Sequence, residues 1–311
     1  MKIIDLKNGN KIDVTNEPLC LTLGNFDGVH EGHARLIDCA LNEGRSLGIK
    51  TAAWTFAEHP MNTLGEKNVS YLTTAEEKDD LFAEKGLDYA IYEDFSRVKD
   101  FSPERFIEEI LIDSFDCKTV VCGFNFKFGK NGQGTPEFLK KYMEERGRNA
   151  IIVPPVYKLN KIVSSTAVRF FVENGCMEEA SELLGRPFSI KFPVLHGKKL
   201  GRSIGIPTIN QNFPEDHIKP KNGIYACTCF IGDDIFLGVS NVGYRPTVNS
   251  DKQKVNCETH ILNYNGWLYG NKIRVCFYKR LRDEVRFDSV EELKRAVEHD
   301  IASTVDYFSK M

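Results

Sequence analysis

The chain holds 311 residues, 41% hydrophobic and 27% charged, with a formal net charge of −3. Such a composition makes a soluble globular protein with ample core and enough length for about two domains. It argues against two partner classes: no dense basic run marks a nucleic-acid binder, and no apolar run approaches the ~20 residues that cross a membrane.

In chain order, the first half alternates apolar runs with amphipathic ones. Leu19–Leu23 reads as a strand ending in the turn Gly24-Asn25-Phe26-Asp27-Gly28-Val29-His30-Glu31-Gly32-His33. From His33 to Leu47, Ala34, Ile37, Ala40 and Leu41 recur at helical spacing. Further strands are expected at Thr51–Phe56, Tyr89–Tyr92, Thr119–Cys122 and Ala150–Val153. Further helices are expected at Thr74–Lys85, Ser102–Asp113, Pro136–Glu145 and Ser165–Asn174. Strands alternating with helices predict an α/β domain with a doubly wound parallel sheet, which binds ligands beyond the carboxyl ends of its strands. Three unusual loops leave strands at that edge: Gly24–His33, Phe56-Ala57-Glu58-His59-Pro60 and Gly123-Phe124-Asn125-Phe126-Lys127-Phe128-Gly129.

A short helix, Met177–Leu184, then leads to Gly185-Arg186-Pro187, whose composition suits a joint and puts the domain boundary between 184 and 185. Charge changes sign near the same place: residues 1–185 carry 22 Lys and Arg against 30 Asp and Glu, and 186–311 carry 19 against 14. Short strands follow at Ile190–Leu195, Ile224–Phe230, Ile235–Val242, Lys254–Ile261 and Lys272–Leu281, punctuated by turn residues. Their even spacing predicts a small antiparallel β-barrel. Ser289–Phe308 closes the chain as a helix with Val290, Leu293, Val297, Ile301 and Val305 as its apolar stripe. The nine cysteines include no Cys-x-x-Cys. They read as reduced, buried thiols of a cytoplasmic protein.

The histidine pair carries the first chemical signal. Free N–H groups and about half a positive charge collect where a helix begins, a place that suits phosphate. His30 and His33 flank a glycine there, which points to chemistry on a nucleotide. The second signal is Val163-Ser164-Ser165-Thr166-Ala167-Val168-Arg169. Its hydroxyls and arginine suit either a helix cap or a phosphate grip.

Together these motifs resemble the adenylyltransferase half of bacterial bifunctional riboflavin kinase/FAD synthetases. The resemblance extends through Thr55-Phe56-x-x-His59-Pro60, Tyr71-Leu72-Thr73 and Gly123–Gly129. The second half is similar to the kinase of that family, in order: Gly197-Lys198-Lys199-Leu200-Gly201-Arg202-Ser203-Ile204-Gly205-Ile206-Pro207-Thr208-Ile209-Asn210, Gly223-Ile224-Tyr225-Ala226, Asn241–Thr247, Glu258-Thr259-His260-Ile261 and Leu281-Arg282-Asp283-Glu284. The likeness covers nearly the whole chain and implies a Rossmann-like nucleotidyltransferase domain over 1–184 and a barrel kinase domain over 185–311. It implies small-molecule partners only: ATP and the flavins riboflavin, FMN and FAD, with Mg²⁺ as the metal.

By that resemblance, His30 and His33 stabilise charge during adenylyl transfer, while Gly24, Phe26, Asp27 and Gly28 form the nucleotide turn. Ser164, Thr166 and Arg169 hold phosphates, and Asn125 lies near the flavin phosphate or metal. Phe126 and Phe128 suit flavin or adenine contact and core packing equally. In the kinase half, Gly197, Gly201 and Gly205 admit phosphate close to the backbone, and Thr208 and Asn210 offer oxygens to Mg²⁺. Glu258 is the general base, its alternative being a surface carboxylate. Arg282 is a candidate for flavin-phosphate or nucleotide contact. Arg202 fits nucleotide binding or a solvated loop charge. His260, two residues after Glu258, shares its strand face, whereas His196, His217 and His299 read as structural or surface. The chain departs from the family at Lys191-Phe192-Pro193, at Ser240, where alanine is common, and at Lys294-Arg295-Ala296-Val297.

Overall fold

Leu19–Leu23 (β2) is buried at all five positions, as a strand covered on both faces must be. The computed structural model describes residues 1–6, 17–58, 60–63, 65, 69–197, 201, 205–245 and 254–311. These divide into two compact units, Met1–Ser165 and Thr166–Met311. Arg202, His59 and the Pro246–Thr247 pair lie outside the described residues.

In the first unit β2 is flanked by Lys50–Phe56 (β3) and Cys117–Gly123 (β5). Lys2–Asp5 (β1), Tyr89–Glu93 (β4) and Asn149–Val153 (β6) complete a six-stranded sheet in the order β1-β4-β3-β2-β5-β6, parallel at every pairing. The chain turns to opposite sides of β2 on its way to β3 and β5, so the ligand crevice of a doubly wound sheet opens at the end of β2. One core cluster gathers Trp54, Phe106 and Phe128; a second gathers Phe26, Ile37 and Phe82.

Two of the expected helices take a different form. The first helix spans Glu31–Leu47, two residues earlier than its apolar pattern shows, because His30 caps it. The expected Ser102–Asp113 helix is a short α-turn, Pro103–Arg105, continued by a π-helix, Phe106–Ser114. The wider turn keeps Phe106, Ile107, Ile110 and Leu111 buried, a register that side-chain periodicity alone does not distinguish from an α-helix. A small hairpin, Tyr157–Lys158 (β7) with Lys161–Ile162 (β8), precedes Ser164.

The second unit is an antiparallel sheet of Phe188–Pro193 (β9), Ile209–Asn212 (β10), Gly223–Ile231 (β11), Asp234–Arg245 (β12), Lys254–Ile261 (β13) and Lys272–Arg282 (β14). Its order is β10-β13-β12-β11-β14-β9. The two edge strands approach each other to give a nearly closed barrel. Leu195 N–H donates to Asn210 at 2.7 Å, and the buried Gln211 amide donates to the Phe192 and Ile273 carbonyls at 2.7 and 2.8 Å. Strand β10 was not anticipated, since Ile209–Asn212 has a single apolar residue.

The closing helix is Val290–Ser309. Its buried positions are Asp300 and Thr304, while Val290 and Val305 are about half exposed (51% and 46%), which corrects the expected stripe. Asp300 accepts two hydrogen bonds from Arg282 at 2.9 and 2.6 Å, and Phe308 packs on Tyr278 at 4.9 Å. These anchors centre the packed face on Asp300 and Thr304, with Leu293, Val297 and Ile301 of the expected stripe partly buried and Val290 and Val305 outside it.

Candidate active sites

Each unit gathers one cluster of candidate residues. In the first, Gly24 N–H bonds the Trp54 carbonyl, and the chain then makes a tight turn with φ of +50° at Phe26 and +37° at Val29. Positive φ at a phenylalanine and a β-branched valine needs strong surroundings. The Phe26 ring is fully buried between Phe82 and His33, 5.3 and 5.1 Å away. The ring is therefore closed to a ligand, and only the Phe26 backbone is open to one.

Asp27 is 3% exposed, and its Oδ1 accepts the N–H groups of Leu72 and Thr73 at 2.9 and 3.3 Å. Gly28 N–H donates to Thr73 Oγ1 at 3.2 Å, and Ser165 Oγ donates to the Asp27 carbonyl at 2.9 Å. A carboxylate held this way fixes the turn; its own charge is turned to backbone amides.

His30 is buried, and its Nδ1 accepts the His33 N–H at 3.2 Å. An accepting nitrogen bears no proton, so the neutral ring carries its proton on Nε2. The His30 and His33 rings stack 3.7 Å apart at 11°. Gly32 makes this possible: a Cβ there would stand 3.1 Å from the His30 ring. The His-x-Gly-His spacing thus has a steric cause, which the sequence showed only as a pattern.

Ser164 precedes the Ser165–Asn174 helix, and Ser165 joins the Asp27 carbonyl. Thr166, exposed, and Arg169, half-buried, lie on that helix within the second unit. Asn125 is exposed in the turn after β5. Phe128 is 6% exposed in the core, its ring 5.3 Å from Phe106, while half-buried Phe126 stacks on it at 5.8 Å. Of the two readings open for this pair, Phe128 packs the core and Phe126 keeps an accessible face.

In the second unit, register puts Asn210 of β10 and Asn241 of β12 directly opposite Glu258 of β13. The three share one sheet face. Asn256, which sequence reasoning passed over, points its amide at both neighbours, 3.2 Å from Asn210 Oδ1 and 3.4 Å from Glu258 Oε1. Gly197 crosses Asn210 so closely that a Cβ would stand 2.5 Å from its amide nitrogen. Ile206 N–H bonds the Gly201 carbonyl at 2.8 Å, and Gly205 takes φ +79°. Half-buried Thr208 precedes β10, where the His260 Nδ1 meets the Pro207 carbonyl at 2.8 Å. The opposite face is a buried polar chain: Ser240 Oγ lies 2.8 Å from Thr259 Oγ1 and 3.1 Å from Cys227 Sγ. Ser240 is thus a satisfied interior hydroxyl. Arg282 spends two donors on Asp300 and one on the Asp283 carbonyl.

Among the expected structural histidines, His217 is 1% exposed between Phe192 and Phe213, and His196 stacks on Tyr269 at 4.1 Å. All nine cysteines are free. Among the described residues no helix is long and apolar enough to cross a membrane, and no group of three or more His, Cys, Asp or Glu is placed to hold a metal.

Comparison with known proteins places both units. A family model described as FAD synthetase matches residues 12–167, and one described as riboflavin kinase matches 184–308. Proteins named bifunctional riboflavin kinase/FMN adenylyltransferase are similar along nearly their whole length. The Listeria monocytogenes protein is 35% identical over 94% of this chain and 93% of its own. The Bacillus subtilis protein is 32% identical with the same coverages, and that of Escherichia coli K12 is 33% identical over 96% of each. A crystal structure titled a macrolide-efflux protein of Streptococcus pneumoniae superposes with a TM-score of 0.87 at 28% identity, covering 98% of this chain and 99% of that one.

Proposed function

Because this chain belongs to the family of bifunctional riboflavin kinase/FMN adenylyltransferases, we propose that it phosphorylates riboflavin to FMN and then adenylylates FMN to FAD. Residues 185–311 carry the first step and 1–184 the second. The observation that carries the reading is that each unit holds its own cluster of candidate residues: stacked His30 and His33 at a helix start, and Glu258 opposite Asn210 on paired barrel strands.

In adenylyl transfer a phosphate oxygen of FMN attacks the α-phosphorus of ATP, and pyrophosphate leaves. Negative charge grows on phosphate oxygens, so positioned donors do the work. His30 supplies Nε2–H while its Nδ1 caps the helix, and His33 stacks beside it. Ser164 takes the leaving phosphates, and Asn125 with the accessible face of Phe126 takes the flavin.

In the kinase step the riboflavin 5′-hydroxyl attacks the γ-phosphorus of ATP and ADP leaves. Glu258 accepts the hydroxyl proton, and the Asn256 amide orients its carboxylate. The residue types fit Mg²⁺: Thr208 and Asn210 carry neutral oxygens two positions apart, a hard donor set that leaves room for phosphate. Bound there, the ion would neutralise phosphate charge. Gly197, Gly201 and Gly205 offer backbone without side chains to the nucleotide, and Arg202 is a further candidate by its place in the sequence. Arg282 keeps two N–H groups beyond its Asp300 and Asp283 bonds for a flavin phosphate. Nine free cysteines suit the cytoplasm.

One timed reaction tests the whole reading. With riboflavin, ATP and Mg²⁺, chromatography should show FMN rising first and FAD following. Absence of both products defeats the proposal.

A further inference from the structure

The Asn25 carbonyl takes two donors from beneath the nucleotide turn: Thr55 Oγ1 at 3.1 Å and the Lys78 ammonium at 3.3 Å. Lys78 is 8% exposed, and its ammonium stands 5.5 Å from the Tyr92 ring centroid. Burial pulls its pKa below the usual lysine value, against the opposing influence of Asp27 and Asp79. A buried ammonium costs stability unless its surroundings offset the lost water. Here the ammonium touches one carbonyl and one ring face, and the Asp27 and Asp79 carboxylates act on it from beyond them. Residues kept despite such a cost are often functional.

The geometry of the peptide says what Lys78 accomplishes. In a trans peptide the carbonyl and the next N–H point in opposite directions. Drawing the Asn25 carbonyl down onto Lys78 and Thr55 therefore turns the Phe26 N–H the other way. That N–H has no hydrogen-bond partner among the described residues. A cation on the carbonyl also polarises the peptide and strengthens the N–H as a donor. The turn sits in left-handed backbone at Phe26 and Val29 and keeps that shape only where neighbours impose it.

We propose that Lys78, assisted by Thr55, is a positioning residue for adenylyl transfer. It holds the Asn25–Phe26 peptide so that the Phe26 N–H donates to the phosphate group under attack. This rests on the adenylyl-transfer reading above. Conversion of FMN to FAD by the wild-type chain tests that reading separately.

The test uses the full chain with Lys78→Met, which keeps length and loses charge, and Thr55→Val, which keeps shape and loses one donor. Both are assayed for FMN adenylylation and for riboflavin phosphorylation, at a temperature where thermal melts show them folded. Adenylylation kcat should fall at least tenfold in Lys78→Met and by a smaller factor in Thr55→Val. The KM for ATP should stay within about threefold, because a misdirected donor is felt mainly in the transition state. Riboflavin phosphorylation should be unchanged in both. The proposal is overturned if kcat for adenylylation stays within twofold of wild type in Lys78→Met. It is also overturned if both variants lose only ATP affinity, or if the loss tracks the unfolded fraction in the melts. Should Lys78→Met fail to fold, Thr55→Val alone decides: unchanged adenylylation kcat overturns the proposal.

Discussion

Replacing His30 separates its helix cap from the donor role proposed for the same ring. Nδ1 caps the Glu31–Leu47 helix by accepting the His33 N–H. The proposed donor for phosphate charge is Nε2–H. Asparagine is a good N-cap whose side-chain oxygen can take over the capping bond but not the Nε2 position. His30→Asn should therefore hold stability within about 0.5 kcal/mol while losing the donor. Losing one such preorganised donor costs about 10²–10³ in kcat, or roughly 3–4 kcal/mol of barrier. His30→Ala loses the cap as well, for about 1 kcal/mol more in stability and a Tm lower by about 2–4 °C in a unit of this size. The assay is FAD formation from FMN at saturating ATP, paired with thermal melts and with riboflavin phosphorylation on the same molecules. The reasoning is refuted if His30→Asn keeps wild-type kcat. It is refuted equally if His30→Asn and His30→Ala melt together well below wild type, since Nδ1 would then not be the cap.

Glu258→Gln removes the candidate base without changing volume, so riboflavin should stay unphosphorylated while added FMN still becomes FAD; a timed chromatogram of the two substrates checks both halves. Asp300→Ala strands the partly buried Arg282 guanidinium and should destabilise the second unit by about 2–3 kcal/mol, discounted from the ~3–5 kcal/mol of a fully buried pair, as read by denaturant melts. Lys78 has a folded-state pKa lowered by burial beneath its unfolded value of 10.5. As pH rises into the alkaline range the folded state sheds this proton first, so Lys78 costs less stability there. The Tm of wild type should accordingly rise relative to Lys78→Met between neutral pH and about pH 10, and a constant difference would contradict it. Burial pushes the Cys122 and Cys257 thiols up to about 12; a thiol reagent at pH 8 should label the less buried Cys39 and Cys176 first and reach these two only on unfolding.

Elements whose side chains all answer to one environment were legible in the sequence. The buried strands β2, β3, β4, β5 and β6 appear as apolar runs because both sheet faces exclude water. Strand β1 escaped because its pattern is largely exposed. Strand β10 escaped because its residues serve a site and a seam: Asn210 faces Glu258, and Gln211 satisfies two backbone carbonyls inside the barrel. The closing helix misled for a related reason. An ion pair, Arg282 with Asp300, outweighs two valines in choosing which face packs, and hydrophobic periodicity does not register a charge that is buried with its partner.

The same limit explains the site. Histidines and glycines at a helix start announce themselves because their chemistry is local: His30, Gly32 and His33 interact within four residues of chain. Asn256 and Lys78 do not, because Asn256 reaches Asn210 and Lys78 reaches Asn25 only once the fold brings them together. Lys78 lies 53 positions from the carbonyl it holds, inside an acidic helix, Ala75–Lys85, where a lysine reads as one of many surface charges. Its burial is visible only once the helix is laid against the nucleotide turn. The residues proposed to touch substrate are thus the ones a sequence displays. Those that aim them are assembled from distant positions, and in the nucleotide turn that aiming depends on a carbonyl that must be turned away from the phosphate for the next N–H to face it.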